Sequence, residues 1–122
     1  MKAEGGNEDL TSRTRRFALA VIRLCSGLPK TAEAQVIGKQ LLRSGTSVGA
    51  HYREATGARS TAEFVSKVDG GRQELEETIY WFELVRDSGH GKPNLTALLD
   101  EADQLMAILT TCARNAKRRT ES

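Results

Sequence analysis

Between residues 61 and 88 the positions Phe64, Val68, Gly71, Leu75, Ile79, Phe82 and Val85 recur at intervals of three and four. Only an α-helix puts residues so spaced on one face, and the repeat holds from Phe64 to Val85, about three heptads. The same rhythm returns in three other segments. Phe17, Val21, Leu24, Cys25 and Leu28 form one stripe, and Ile37, Leu41, Val48, Tyr52 and Ala55 form a second. Leu95, Leu98, Leu99, Ala102, Leu105, Met106, Leu109 and Cys112 form the third. The only two prolines, Pro29 and Pro93, fall between stripes, where helices must stop or start. The spacing therefore predicts helices over about 12–27, 32–56, 61–88 and 94–116. Thr31 is placed to cap the second, and Ser60-Thr61-Ala62-Glu63 reads as a capping box for the third. Gly89-His90-Gly91 ends the third. Residues 1–10 read as a flexible N-terminal tail and 117–122 as a basic flexible one. Four amphipathic helices with short connections predict an all-α, antiparallel up-down-up-down four-helix bundle.

A chain of 122 residues is one domain's worth. Aromatics make up 5% of it, so the core must be mostly Leu, Val, Ile and Ala. No run of 18 apolar residues occurs, and the polar, acidic start lacks the layout of a signal peptide. The expectation is a cytoplasmic protein with no membrane contact. Cys25 and Cys112 are isolated, make no metal motif, and would sit about 20 Å apart in the bundle, too far for a bridge. Both read as small buried hydrophobes.

Net charge is only +2, but it is unevenly spread. Residues 11–60 carry nine basic and two acidic side chains, whereas 61–91 carry three basic and seven acidic ones. Some of this must pair between helices, and the remainder is a candidate basic surface. Helix 2 also contains a run of small residues, Ser44 to Ala50, with Gly45 and Gly49 on one face. Each glycine costs roughly 1 kcal/mol against alanine in a helix. Either a neighbouring helix comes close there, or the helix breaks. Arg43 at the edge of this run reads as a partly buried structural residue paired with Glu74 or Glu77, because a buried charge needs a partner.

The central segment is recognisable. Gln40-Leu41-Leu42-Arg43-Ser44-Gly45-Thr46-Ser47-Val48, followed by Glu54, Ser60, Glu63-Phe64 and Glu74-Leu75-Glu76-Glu77-Thr78, resembles the bacterial four helix bundle protein family. These are proteins encoded within intervening sequences of large-subunit (23S) ribosomal RNA genes. The resemblance covers about residues 15–112. His51 stands where the family usually has asparagine, and Asp69-Gly70-Gly71-Arg72-Gln73 replaces an apolar or alanine-rich stretch. The resemblance implies an antiparallel four-helix bundle that assembles into a ring-like homo-oligomer, most often a homopentamer. It also implies a likeness in fold to the accessory variability proteins of diversity-generating retroelements, which bind nucleic acid. An RNA- or DNA-binding accessory role follows as the expectation.

The candidate nucleic-acid-binding residues are Arg13, Arg15, Arg16 and Arg23 on helix 1 with Arg53 and Arg59 at the end of helix 2, since guanidinium groups suit phosphate oxygens. The competing reading is a solvated face with ion pairs to helix 3 carboxylates. No aromatic interleaves with these arginines, which argues against sequence-specific single-strand recognition. Arg43, Ser44, Ser47, Glu54 and Glu77 form a candidate structural polar network, with Arg72 the expected partner of Glu54. Tyr80, Trp81 and Leu84 widen the apolar face of helix 3 beyond what one core needs and read as an oligomer interface. His51 and Glu54 are three apart, but a single copy of such a pair does not make a metal site. No nucleophile–base pair, phosphate-cradling loop, zinc set or cofactor motif occurs, so the expectation is a protein that is not an enzyme. The alternative function is a protein–protein interaction scaffold with no nucleic-acid role.

Overall fold

The computed structural model describes residues 6–90 and 93–121. They form four helices and, among the described residues, no strand: α1 (Gly6–Ser26), α2 (Ala32–Thr56), α3 (Thr61–Val85) and α4 (Pro93–Glu121). No helix among them is long and apolar enough to cross a membrane. The caps are chemical. The Thr31 side chain accepts from the Ala34 amide and opens α2. Ser60 accepts from the Glu63 amide at 3.0 Å, while the Glu63 carboxylate reaches back to the Arg59 amide at 2.9 Å, closing a capping box. Pro93 starts α4, where its missing N–H is no loss.

Three boundaries differ from the spacing-based expectation. Helix α1 begins at Gly6, so the expected N-terminal tail is in part helical, and Leu10 is fully buried. Leu10 extends the stripe through Phe17 by two turns, a continuation hidden by the polar residues around it. Helix α3 stops at Val85, and Arg86–His90 forms one wide turn in which Gly89 takes φ 88°. That left-handed conformation suits only glycine without strain. At the other end α4 continues to Glu121, because Ala113 and Ala116 are buried and prolong its stripe; the expected flexible tail from residue 117 is helical to Glu121. Residues 1–5, Gly91, Lys92 and Ser122 lie outside the described residues.

One core runs through the molecule. Its largest fully buried members include Phe17, Phe82, Leu10, Leu41, Leu75, Leu95, Leu105 and Leu109, and Phe17 meets Phe82 edge-on with ring centroids 6.1 Å apart. The glycines of α2 do not break it. A Cβ on Gly45 would lie 2.9 Å from both methyls of Val21, and one on Gly49 would lie 3.0 Å from the Thr14 hydroxyl. Both glycines thus let α1 approach the α2 backbone. Contacts between α2 and α3 pair Ser44 with Thr78, His51 with Gly70 and Glu54 with Lys67, so numbers rise on one helix as they fall on the other.

Candidate functional site

Two surfaces carry the candidate residues. The first is the α2/α3 seam. Thr78, fully buried, has its hydroxyl 2.8 Å from that of Ser44 and 2.7 Å from the Glu74 carbonyl oxygen. Outside this buried pair, Arg43 donates to Glu74 at 3.1 Å and to Glu77, and Trp81 Nε1 donates to Glu77 at 3.0 Å. The hydrogen bond from Arg43, then that from Trp81, holds the Glu77 carboxyl below the usual glutamate range. Arg43 is about half exposed, not buried: only its reach across the seam is fixed. Ser47 stays out of the network, donating to the Arg43 carbonyl oxygen one turn back. Glu54 pairs with Lys67 at 3.1 Å and not with Arg72, which binds Asp69 and Thr110. The register explains this. Glu54 is near the end of α2 and lies opposite the first turns of α3, while Arg72 is turned toward α4.

The two departures from the family pattern meet in this seam. The His51 imidazole rests on Gly70, where a Cβ would fall 3.0 Å from its Cε1 and Nδ1. His51 Nε2 stands 3.9 Å from Glu74. The larger residue on α2 is accommodated by the missing side chain on α3. Among the described residues no group of three or more His, Cys, Asp or Glu side chains is arranged to hold a metal.

The second surface is basic. The structure separates the six candidate arginines. Arg13 is bound to Glu101 of α4 through Nε at 3.0 Å and Nη2 at 2.8 Å, and also to Gln104. It holds α1 to α4 and is the candidate least available to a ligand. Arg15, Arg16, Arg23, Arg53 and Arg59 are exposed, with no carboxylate in ion-pair contact among the described residues. Arg16 borders a groove of about 370 Å³ between α1 and α4, floored by Phe17, Ala20 and Leu98. Arg23 lies two turns farther along α1, toward the opposite end from Arg53 and Arg59.

A neighbour that sequence reasoning missed is Arg119. It shares with Arg59 a depression of about 280 Å³ at the start of α3, with Ser60, Thr61, Phe64 and Ala116 around it. Treating the last residues as a flexible tail concealed this. The signal was present in Ala113 and Ala116, spaced four and three after Leu109. With α4 helical to its end, Arg114, Lys117, Arg118 and Arg119 are exposed on the same end of the molecule as Arg53 and Arg59. Tyr80 is exposed and packs edge-on to Trp81, while Trp81 and Leu84 are half-buried.

Comparison with known proteins adds three findings. The family described as 23S rRNA-intervening sequence protein matches residues 7–111. A crystal structure of a protein of unknown function from the S23 ribosomal protein family of Bacteroides thetaiotaomicron superposes with a TM-score of 0.82. It is 28% identical, and the match covers 88% of this chain and 97% of that one. No curated protein matches.

Proposed function

Because the chain belongs to the 23S rRNA-intervening sequence protein family, we propose that it is a cytoplasmic, non-enzymatic accessory protein that binds RNA or DNA without sequence specificity. In this reading it is an antiparallel four-helix bundle working as a homo-oligomer, with five copies the number the resemblance implies. The opposed numbering of the α2/α3 contacts supports the antiparallel arrangement. Repetition around a ring turns a weak patch on each copy into useful avidity.

One observation carries the nucleic-acid reading. Residues 53–59 and 114–119, which meet at one end, hold six basic side chains and a single acidic one, Glu54, already engaged by Lys67. Exposed guanidinium groups concentrated in this way suit phosphates. Tyr80, the one aromatic among the described residues that is more exposed than buried, is toward the far end of α3, and the basic end offers only the half-buried Phe64 for base stacking. Backbone recognition without base readout is what such a surface supplies. The non-enzymatic reading rests on the thiols. Burial pushes both Cys25 and Cys112 up, the opposite of an activated nucleophile.

Gel-shift titration of RNA and DNA duplexes at low salt tests the proposal. The expected result is binding by the native protein and, for the Arg59→Ala/Arg118→Ala/Arg119→Ala variant, a loss of about tenfold or more. Equal binding by the variant would refute the location. No binding by the native protein would refute the nucleic-acid reading and favour a protein partner.

A further inference from the structure

The groove between α1 and α4 has no part in the basic end. Phe17 and Ala20 of α1 and Leu98 of α4 make its apolar floor, and Ala97 stands exposed at its edge. Its lining runs from Arg13 to Ala20 on one helix and from Asn94 to Glu101 on the other. At 1.5 Å per residue that is a length of about 10 Å. Its volume of about 370 Å³ is that of a small-molecule site. A stable protein contact buries more than about 1,000 Å², which a groove two turns long does not offer. Charge narrows the choice further. Arg13 and Glu101 bind each other through two hydrogen bonds, so their charges cancel. Arg16, one turn along, is exposed, with no carboxylate in ion-pair contact among the described residues. The groove therefore offers an apolar floor and one uncancelled positive charge. That suits a monoanion with an apolar body, and a guanidinium takes a carboxylate through two parallel hydrogen bonds. A nucleotide suits it less, because its phosphate brings more negative charge and its base and ribose are polar.

We propose that this groove binds a free medium-chain carboxylic acid as its anion. The acyl chain lies along α1 and α4 over Phe17 and Leu98, and Arg16 holds the carboxylate. Asn94, exposed on the α4 wall, adds an amide donor beside it. The Arg13–Glu101 bridge ties the two walls together, so the groove is formed before anything enters it. Its occupancy requires neither nucleic acid nor a second copy of the chain. Along α4, Arg114 of the basic end is about 20 Å from Glu101 at 1.5 Å per residue, so the two sites are separate.

Methyl-detected NMR titration of the full chain with octanoate decides it. The methyl resonances of Ala20, Ala97 and Leu98 should shift and saturate. From butanoate to octanoate the affinity should rise about fourfold for each methylene buried. Octanol, with the same chain and no charge, should bind about tenfold more weakly, and Arg16→Ala should lose octanoate affinity by a similar factor. Arg23→Ala removes the same charge from α1 outside the groove and should bind as the native chain does. Ala97→Phe, which fills the groove from its exposed edge, should abolish binding with unchanged helical circular dichroism. Octanoate shifts that miss these three methyls would overturn the site, as would a native chain that does not bind octanoate. Equal binding of octanol, or equal losses in Arg16→Ala and Arg23→Ala, would overturn the role of Arg16. The gel shifts report on the basic end separately.

Discussion

The α2/α3 seam and the α1/α4 seam join helices of similar length in opposite ways. Across α2/α3 the facing residues are small or hydroxylated: Ser44 against Thr78, and His51 against Gly70. The backbones approach closely, and the polar groups left inside find one another. Across α1/α4 the facing residues include Phe17, Leu98, Arg13 and Arg16, and the helices stand far enough apart to leave a groove. There a two-pronged Arg13–Glu101 contact replaces close packing. Side-chain volume, more than apolar content, sets how near two helices come.

The comparison can be broken by substitution. The largest effect belongs to the core both seams share. Phe82→Ala should destabilise by about 3–5 kcal/mol in urea unfolding, because Phe82 is fully buried against Phe17. Close approach of α1 to α2 is tested by Gly45→Ala. Alanine gains roughly 1 kcal/mol of helix propensity. The new methyl, however, meets a fully buried Val21 that has no room to move, and overpacking costs about 1–3 kcal/mol. The net result should be a loss of stability, and a gain would show that the glycine is not there for packing. At the α2/α3 seam, Thr78→Val should cost about 1–3 kcal/mol by stranding the buried Ser44 hydroxyl, with Thr78→Ser close to native. Arg13→Ala should cost about 1 kcal/mol and raise amide exchange in α1 more than in α2 or α3.

The smallest effect is a titration. The Glu77 carboxyl is depressed in the folded state, so its contribution is complete above the ordinary glutamate pKa and is lost as pH falls through the lowered one. The Trp81 indole N–H resonance should therefore shift with a midpoint below the ordinary value of 4.5, and the midpoint should rise in Arg43→Ala. A midpoint indifferent to Arg43 would remove that arginine from the network.

Much of this is written locally in the chain. The stripes, the two prolines, and Thr31 and Ser60 as caps are all short-range signals, and the four helices of the structure follow them. What was not legible is decided by register across helices. Glu54 finds Lys67 and not Arg72 because of how α2 is set against α3. Arg13 is taken by Glu101, a residue 88 positions away, which no local pattern indicates. Leu10, Ala113 and Ala116 were overlooked at the ends because a single apolar residue or a pair of alanines is a weak stripe, although burial makes them core. That oversight also removed Arg118 and Arg119 from the candidate surface. His51 and Gly70 looked like two separate departures from a family pattern, and only their contact shows that one accommodates the other.

The most direct test of the basic end is the salt dependence of binding, read by fluorescence anisotropy of labelled RNA and DNA duplexes. For the native protein the logarithm of affinity should fall linearly with the logarithm of salt concentration. In Arg59→Ala/Arg118→Ala/Arg119→Ala the slope should be shallower by about one for each phosphate contact removed. Tight binding that ignores salt, or a slope that the triple variant leaves unchanged, would contradict the account.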